Sequence, residues 1–290
     1  MGRGHSLQRS WSWVKWQAGK RSSHRQRQWL CAAGSLFFWL PSRTLRSWDQ
    51  NFQHAIERPA TRQEKRELIA CLLRSRLMAL AAPTWDDRDV LTRAVISDKH
   101  LKRLAASVNG PGLVLALPRM GSPEFAAVWA TRAGLKVVCV DDSEPSGGSG
   151  TRRLVRDAIG VQSYSWHEPH IMDVLASQVR RGKVVCLAGD RVVADPGIEV
   201  PWPTDEYPIV ARVPTAPARL ATQARADLRA AVTIFHGDFL EILVSDRIET
   251  DSVQEATTDL VAAFSEAVHH APTNWLMLEP FLKRVSYSAG

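Results

Sequence analysis

The sequence predicts an α/β fold, in which a mostly parallel, mixed sheet is flanked by helices on both faces and preceded by an N-terminal helical segment. Continuous apolar runs such as Leu113–Leu117 and Lys183–Ala188 are typical of strands buried on both faces. Segments with helical spacing of apolar residues separate these runs, and such alternation favours a parallel sheet. The chain has 290 residues, of which 45% are hydrophobic, and this is enough for one large α/β domain.

The N-terminal helical segment precedes the sheet. Residues 45–82 are predicted to form helices, because Thr61 and Glu64 have the spacing of a capping box ahead of apolar residues at helical intervals. Residues 83–110 are predicted to hold another helix, which the breaker residues Asn109, Gly110 and Pro111 end.

The core elements follow in alternation. The pattern predicts helices over Pro123–Ala133, Thr151–Ile159, Ile171–Arg181, Ala216–Ala224 and residues 253–270, and further strands over Lys136–Val140, Gln162–Ser165, Ala230–Phe235 and Phe239–Leu243. Residues 141–150 are predicted to form a polar loop. Residues 189–215 are predicted to be largely irregular, with a short edge strand or loop at Gly197–Pro201.

The net charge of +7 is concentrated at the N-terminus. Residues 1–28 contain seven basic residues and no acidic one, so the rest of the chain has 30 basic and 30 acidic residues. We therefore divide the chain into a basic, tryptophan-rich tail (1–28), N-terminal helices (29–110) and an α/β core (111–290), with residues 29–290 forming one structural domain.

The tail suits an anionic membrane surface, because indole rings prefer the headgroup level and basic side chains are attracted to anionic lipids. The alternatives are a solvated arm and an arm that contacts RNA. The apolar run at residues 29–40 is shorter than the roughly 20 residues of a transmembrane helix, so we predict an interfacial or core-docked helix. The expected location is the cytoplasm, with residues 1–40 attached peripherally to the inner face of the plasma membrane if they bind lipid.

The four cysteines, Cys31, Cys71, Cys139 and Cys186, lie far apart in the sequence. None forms a C-x-x-C pair, so the sequence predicts neither a metal site nor a disulfide framework, and a reducing cytosol fits this pattern. Cys139 and Cys186 fall within apolar runs and are predicted to behave as small core residues. No bound cofactor is predicted.

The main candidate site is the turn that follows Leu113–Leu117. Arg119 and Glu124 bracket this turn, and open α/β sheets place their chemistry at the carboxyl ends of their strands. On these two residues alone, an Arg–Glu pair that caps a helix is the simpler interpretation. Asp190 and Arg191 likewise follow a buried strand directly, as expected of residues that bind a ligand or form ion pairs within the protein.

Two later segments add to this site. Glu199 lies in the short segment Gly197–Pro201, and Arg212 stands shortly before a helix that begins at Ala216-Pro217. The N-terminus of that helix, which follows Thr215, is a natural anion site, because its backbone N–H groups point outward and its dipole favours negative charge.

In this order and spacing, the motifs resemble the bacterial lysophospholipid acyltransferase superfamily, and most closely the branch of the lipid A lauroyl acyltransferases and the actinobacterial phosphatidylinositol mannoside acyltransferases. The resemblance covers roughly residues 30 to 284. The family motif H-x-x-x-x-D/E aligns with residues 119–124, and its Asp-Arg pair aligns with residues 190–191. Its G-V-E-V, R-F-P-x-G-P-A and P-E-D-W-H-M-L-Q-P motifs align with residues 197–200, 212–218 and 272–280.

The resemblance implies an acyltransferase in which the motif histidine removes a proton from the acceptor and the motif acid orients that histidine. It assigns catalytic roles to Arg119, Glu124 and Glu199 and substrate binding to Asp190, Arg191, Arg212 and Thr215. The chain departs from the family at Arg119 and Leu276, where the family has histidine, and at Ala216, where it has glycine. Arginine side chains cannot serve as a base at neutral pH, because their pKa is above about 12.

Three hypotheses follow from this departure. The first is acyl transfer from coenzyme A, acyl carrier protein or another activated donor to an amine or hydroxylamine nitrogen, which needs no strong base. Arg119 then holds an anionic donor group or an oxyanion, and Glu124 or one of His167, His170 and His236 takes the proton. The second is a catalytically retired homologue that binds lipid or scaffolds a partner. The third is a transferase that uses aminoacyl-tRNA as donor, with the basic tail on RNA. The acceptor is a small molecule or a lipid.

Overall fold

The computed structural model describes residues 43–141, 156–191, 197–236 and 239–285. The predicted basic tail, the apolar run at residues 29–40, the loop at 142–150 and most of the predicted helix Thr151–Ile159 lie outside the described residues.

Two N-terminal helices, α1 (Arg43–Ile56) and α2 (Arg62–Ala81), confirm the prediction for residues 45–82. The capping box at the start of α2 is complete. The backbone N–H of Glu64 donates to Thr61 Oγ1 at 3.2 Å, and the backbone N–H of Thr61 donates to Glu64 Oε2 at 2.8 Å. These bonds satisfy donors that the first turn of a helix otherwise leaves open.

The Glu64 carboxylate makes the stability of this cap depend on pH. Hydrogen bonds from the Arg58 guanidinium, and then from Thr61, lower the pKa of Glu64 from 4.5 to about 2. Its stabilising contribution is therefore complete above the unfolded-state pKa and is lost as the pH falls from about 4.5 towards 2. We expect Glu64→Gln to flatten the acid limb of the unfolding free energy, measured by urea titration from pH 6 to pH 2. Equal pH slopes for both proteins would contradict this assignment.

The main sheet consists of β1 (Ala94–Ile96), β2 (Leu113–Leu117), β3 (Val137–Asp141), β4 (Gln162–Ser165), β5 (Val184–Ala188), β8 (Asp227–His236) and β9 (Phe239–Val244). These strands lie in the order β1-β9-β8-β2-β5-β3-β4. Strands β8, β2, β5, β3 and β4 are parallel, whereas β9 runs antiparallel to β8 and carries β1 parallel to itself. The mostly parallel, mixed sheet is thus confirmed.

Helices cover both faces of this sheet, as predicted. Alternate residues of β2 show the division: Leu113 and Leu115 face one cluster, and Val114 and Ala116 face the other. The first cluster packs against α3 (Asp87–Arg93), α4 (Asp98–Val108) and α5 (Pro123–Arg132). The second packs against α6 (Ile171–Arg180), α7 (Ala216–Ala224) and α8 (Val253–His270).

The prediction of one helix over residues 83–110 was wrong. The segment forms α3 and α4 with strand β1 between them, because Ala94–Ile96 pairs with β9 at the edge of the sheet. Each helix begins at its own N-cap. The side chains of Asp86 and Ser97 accept hydrogen bonds from the backbone N–H groups of Asp89 and His100, respectively. Helical spacing of apolar residues obscured these two caps in the sequence.

The prediction of a largely irregular segment at residues 189–215 was also wrong, although its short edge strand at Gly197–Pro201 is confirmed by a strand at the edge of a small sheet. Strands β6 (Ile198–Trp202) and β7 (Ile209–Val213) pair antiparallel there, and β10 (Leu282–Arg284) joins the other edge of β7. Alternation of buried and exposed residues along β7 marks it as a half-buried strand. This small sheet packs beside the C-terminal segment, where the rings of Trp202 and Trp275 stack with centroids 5.6 Å apart.

Candidate active site

The candidate site lies at the carboxyl ends of β2, β5 and β8, where a tight turn at residues 118–122 connects β2 to α5. Gly121 makes this turn possible. It has a φ of +60°, and a Cβ at this position would approach Thr233 Oγ1 to 2.7 Å and the Thr233 carbonyl oxygen more closely still. A residue with a side chain would therefore be strained by both its backbone conformation and its contacts.

Hydrogen bonds with β8 hold the turn against the sheet. Thr233 Oγ1 donates to the Met120 carbonyl oxygen at 2.6 Å and accepts from the backbone N–H of Ser122 at 2.9 Å. Thr233 is buried, so these bonds form away from bulk water, where an unmade bond is costly. The backbone on both sides of Gly121 is therefore fixed in one position.

Asp190 fixes the backbone at Arg119. Its Oδ2 accepts a hydrogen bond from the backbone N–H of Arg119 at 2.7 Å, and the residue is only 3% exposed. The preceding Gly189 donates its N–H to the Leu117 carbonyl oxygen at 2.9 Å. The structure thus brings Asp190 together with Arg119, as the sequence predicted, and one contact of its carboxylate is to the turn itself. Substrate binding by Asp190 stays a prediction.

The C-terminal segment closes the other side of the turn. The backbone N–H of Leu276 donates to the Arg119 carbonyl oxygen at 2.7 Å, and the N–H of Gly121 donates to the Asn274 carbonyl oxygen at 2.9 Å. Asn274 Oδ1 also accepts from the N–H of Phe235 at 2.8 Å. Residues more than 150 positions apart in sequence therefore form one rigid wall of the site.

The Arg119 guanidinium forms an ion pair with Glu279, a residue that the sequence reasoning did not select. Nη1 of Arg119 lies 3.4 Å from Glu279 Oε1, and the two side chains are 28% and 57% exposed. The side-chain amide of the buried Asn51 donates to the Glu279 carbonyl oxygen at 2.7 Å, which anchors the backbone that carries this carboxylate. The sequence contained one signal for this residue, because Glu279 stands where the family motif has glutamine. The two departures from the family motifs, at Arg119 and at Glu279, together form this ion pair.

An apolar cavity of ≈ 170 Å³ opens beside Arg119. It lies between one face of the sheet and helices α4 and α5. Arg119, Glu124 and Arg156 contribute its charged lining residues, and the rest of the lining is almost entirely apolar. Helix α5 contributes Ala126, Ala127 and Ala130 to the lining, and the facing strands contribute Cys139, Cys186 and Ala231 among others. Small side chains on both walls leave space that larger ones would fill.

The structure places Arg119 and Glu124 together at the charged end of this cavity. Glu124 lies in the first turn of α5, where a carboxylate interacts favourably with the helix dipole. Arg156, which also lines the cavity, was missed by the sequence reasoning. It falls in a polar segment without any motif, so no local signal distinguished it. Arg191 is partly exposed and follows Asp190 directly.

The other predicted residues lie in or after the small sheet. Glu199 in β6 and Arg212 in β7 are exposed register partners across these antiparallel strands. Thr215 is buried at the start of α7. None of these three lines the cavity. Their predicted roles in catalysis and substrate binding therefore depend on a substrate that extends beyond the cavity.

The three histidines considered as alternative bases occupy different positions. His167 and His170 are exposed and follow β4, which is separated from β2 by two strands. His236 is also exposed, but it ends β8, the immediate neighbour of β2. His236 is therefore the histidine whose strand brings it nearest to the turn.

Among the helices of the described ranges, none combines the length and the apolar character that a bilayer-spanning helix needs.

Comparisons with known proteins identify the family of the chain. The family described as "Bacterial lipid A biosynthesis acyltransferase" matches residues 27–284. A phosphatidylinositol mannoside acyltransferase of Mycobacterium tuberculosis (strain H37Rv) is 30% identical over 208 residues, which cover 68% of this chain and 63% of the relative. Its counterpart in Mycolicibacterium smegmatis is 30% identical over 193 residues, which cover 64% and 61%. The matched region thus spans less than two thirds of these curated relatives, but the family match includes nearly the whole chain. The chain therefore belongs to the bacterial lipid A biosynthesis acyltransferase family.

Proposed function

We propose that the protein transfers an acyl group from a thioester, carried by coenzyme A or an acyl carrier protein, to a nitrogen acceptor. The observation that carries this proposal is the apolar cavity that opens at Arg119 and Glu124. The acyl chain lies in the cavity and is stabilised there by burial of its methylene groups, at about 0.8 kcal/mol each. Its carbonyl group then reaches the charged end, next to the turn.

Arg119 stabilises charge in this proposal and takes no proton. As the acceptor attacks, negative charge develops on the carbonyl oxygen, and a fixed guanidinium donor at this position favours that charge. Several contacts support such a fixed position: the Asp190 and Leu276 hydrogen bonds hold the Arg119 backbone, and Glu279 holds its side chain. A donor that is already in place needs little reorganisation during the reaction.

The acceptor is a nitrogen because the site has arginine where the family has its base. The lone pair of an unprotonated amine or hydroxylamine attacks the thioester carbon, the C–S bond breaks, and the thiolate leaves. The nitrogen loses one proton, which passes to the Glu124 carboxylate or to solvent. An alcohol, in contrast, needs a base during the attack. The relatives are named for acylation of phosphatidylinositol mannoside, so this glycolipid is the reference alcohol acceptor.

An acceptor panel tests the proposal. Purified full-length protein is incubated with acyl-coenzyme A or acyl carrier protein thioester and, in parallel, with a hydroxylamine, a weakly basic amine, glycerol and phosphatidylinositol mannoside. Product mass is then measured. We expect amide or hydroxamate products and no ester. Ester formation at a comparable rate would contradict the nitrogen preference, and absence of any product would favour the retired homologue that binds lipid. Turnover only with aminoacyl-tRNA would support the third hypothesis instead.

A variant pair tests the place of the acyl chain. Ala127 lines the cavity from α5, so we expect Ala127→Phe to fill it and to abolish transfer from long-chain donors. Ala105 is exposed on α4 and does not line the cavity, and Ala105→Phe is the matched control. Thermal unfolding of both variants verifies that they remain folded. Full activity in Ala127→Phe would exclude this cavity as the acyl site.

A further inference from the structure

Two cysteines face each other in the wall of the cavity. Cys139 in β3 and Cys186 in β5 are register partners on neighbouring parallel strands, and both line the cavity. Neighbouring strands are about 4.8 Å apart. This separation falls within the Cα–Cα range of about 4.4–6.8 Å that a disulfide bond requires. The two residues lie 47 positions apart in sequence, so their pairing is a product of strand order.

The two thiols are reduced and in contact. Both cysteines are free, and their side chains are hydrogen-bonded to each other. The pKa of the Cys186 thiol is raised, first by this hydrogen bond with Cys139 and then by burial, while the positive charge of Arg156 acts in the opposite direction.

The pair of residues next to the two cysteines in the cavity wall is purely apolar. Nearer to the amino-terminal ends of the same two strands, the register partners are Val137 and Val184, which also line the cavity. The cysteine pair is thus the layer nearer to the carboxyl ends of β3 and β5, the edge of the sheet at which Arg119 follows β2.

We propose that Cys139 and Cys186 form a redox-active dithiol, which a low-molecular-weight disulfide converts to a cross-strand disulfide bond in the cavity wall. One of the two cysteine thiolates attacks one sulfur of the small disulfide, whose S–S bond breaks, and one small thiolate leaves. The other cysteine thiolate then attacks the protein sulfur of this mixed disulfide and expels the second small thiolate. The protein loses two electrons and two protons, and the small disulfide is reduced to two thiols.

The disulfide is reversible. Attack of a small thiolate on the disulfide restores the two protein thiols by the same exchange chemistry. The consequence for acyl binding rests on the proposed function: a disulfide at this layer changes the wall that the acyl chain contacts, and a bound chain shields the thiols. The dithiol itself does not depend on which acceptor the enzyme uses.

Peptide mapping tests the dithiol directly. Full-length protein is incubated with oxidised glutathione, remaining thiols are alkylated, and the tryptic digest is analysed without reduction. We expect residues 137–152 and 184–191 to be joined through Cys139 and Cys186, and dithiothreitol to separate them. Cys139→Ser and Cys186→Ser should each abolish this species. Cys71→Ser should retain it, because Cys71 lies outside the cavity and donates to Asn274 Oδ1.

Two outcomes distinguish the dithiol from the proposed acyl site. If only mixed disulfides form, or if cross-links involve Cys71 as often as the pair, the dithiol is overturned, whereas the acyl site is unaffected. A parallel incubation with a saturated fatty acid addresses the cavity. Slower cross-linking supports occupation of the cavity by the chain, and an unchanged rate together with a formed cross-link contradicts the acyl site but leaves the dithiol intact.

Discussion

Replacing Arg119 by alanine is expected to lower the turnover number by about 10²–10³-fold, the usual effect of removing one preorganised donor at a developing oxyanion. The change should appear in kcat more than in KM, because the acyl chain binds in the apolar cavity and the guanidinium acts on charge that appears in the transition state. The measurement is steady-state kinetics with the best donor and nitrogen acceptor from the panel.

Arg132→Ala is the matched control for this variant. Arg132 is a partly exposed arginine at the end of α5, paired with Asp87 at 3.0 Å and absent from the cavity lining. Its removal should leave kcat unchanged. Unaltered turnover in Arg119→Ala would exclude the catalytic role, and an equal loss in both variants would indicate a general effect of charge.

The double variant Arg119→His with Glu279→Gln sharpens this test, since it restores the family residues at both positions of the ion pair. If the other residues of the candidate site support catalysis, this variant should acylate an alcohol that the parent protein leaves unmodified. Failure of a folded double variant to form any ester would indicate that the departures at Leu276 and Ala216 also matter.

Gly121→Ala is expected to destabilise the fold by roughly 2–4 kcal/mol, the sum of a left-handed backbone conformation and a clash in a packed region. The new Cβ would meet the backbone and side chain of Thr233. Relief of this clash requires movement of the turn, so the Arg119 position would change as well. The free energy of unfolding in urea measures the first effect, and residual turnover measures the second.

Gly160→Ala separates the two contributions. Gly160 also has a positive φ, of +77°, but a Cβ there would meet nothing within 4 Å. Its substitution should lower the free energy of unfolding only by the cost of the left-handed backbone conformation, about 1–2 kcal/mol. The turnover number should not change. Equal destabilisation by both substitutions would show that Gly121 is retained for backbone conformation alone and that its close approach to Thr233 is unimportant.

Local patterns predicted most of the fold because periodicity and breakers are properties of short segments. The bounds of Leu113–Leu117, Gln162–Ser165 and Ala216–Ala224 agree with the structure. The failures share one cause. Strand β1 has three residues and the small sheet has short strands, so both depend on partners that are distant in sequence. Propensity over such short stretches is a weak guide when tertiary pairing decides the outcome.

The candidate site was predictable only where a motif marked it. The turn after an apolar strand pointed to Arg119 and Glu124, and the strand end before Asp190 pointed to a second contributor. Glu279 and Arg156 were missed. Glu279 had one signal, its departure from the glutamine of the family motif, but its ion pair with Arg119 depends on the chain returning to the turn. Arg156 has no motif, and only the cavity lining distinguishes it.

The sequence by itself determined most of the alternation of strands and helices in the core, the family resemblance and the absence of histidine at position 119. Only the tertiary structure decided that Arg119 is paired with Glu279, that Cys139 faces Cys186, and that a cavity opens between α5 and the sheet. The reason is physical. Periodicity specifies which face of a segment is buried, whereas ion pairs, register partners and empty space depend on which segments become neighbours and on the volumes of side chains that meet there.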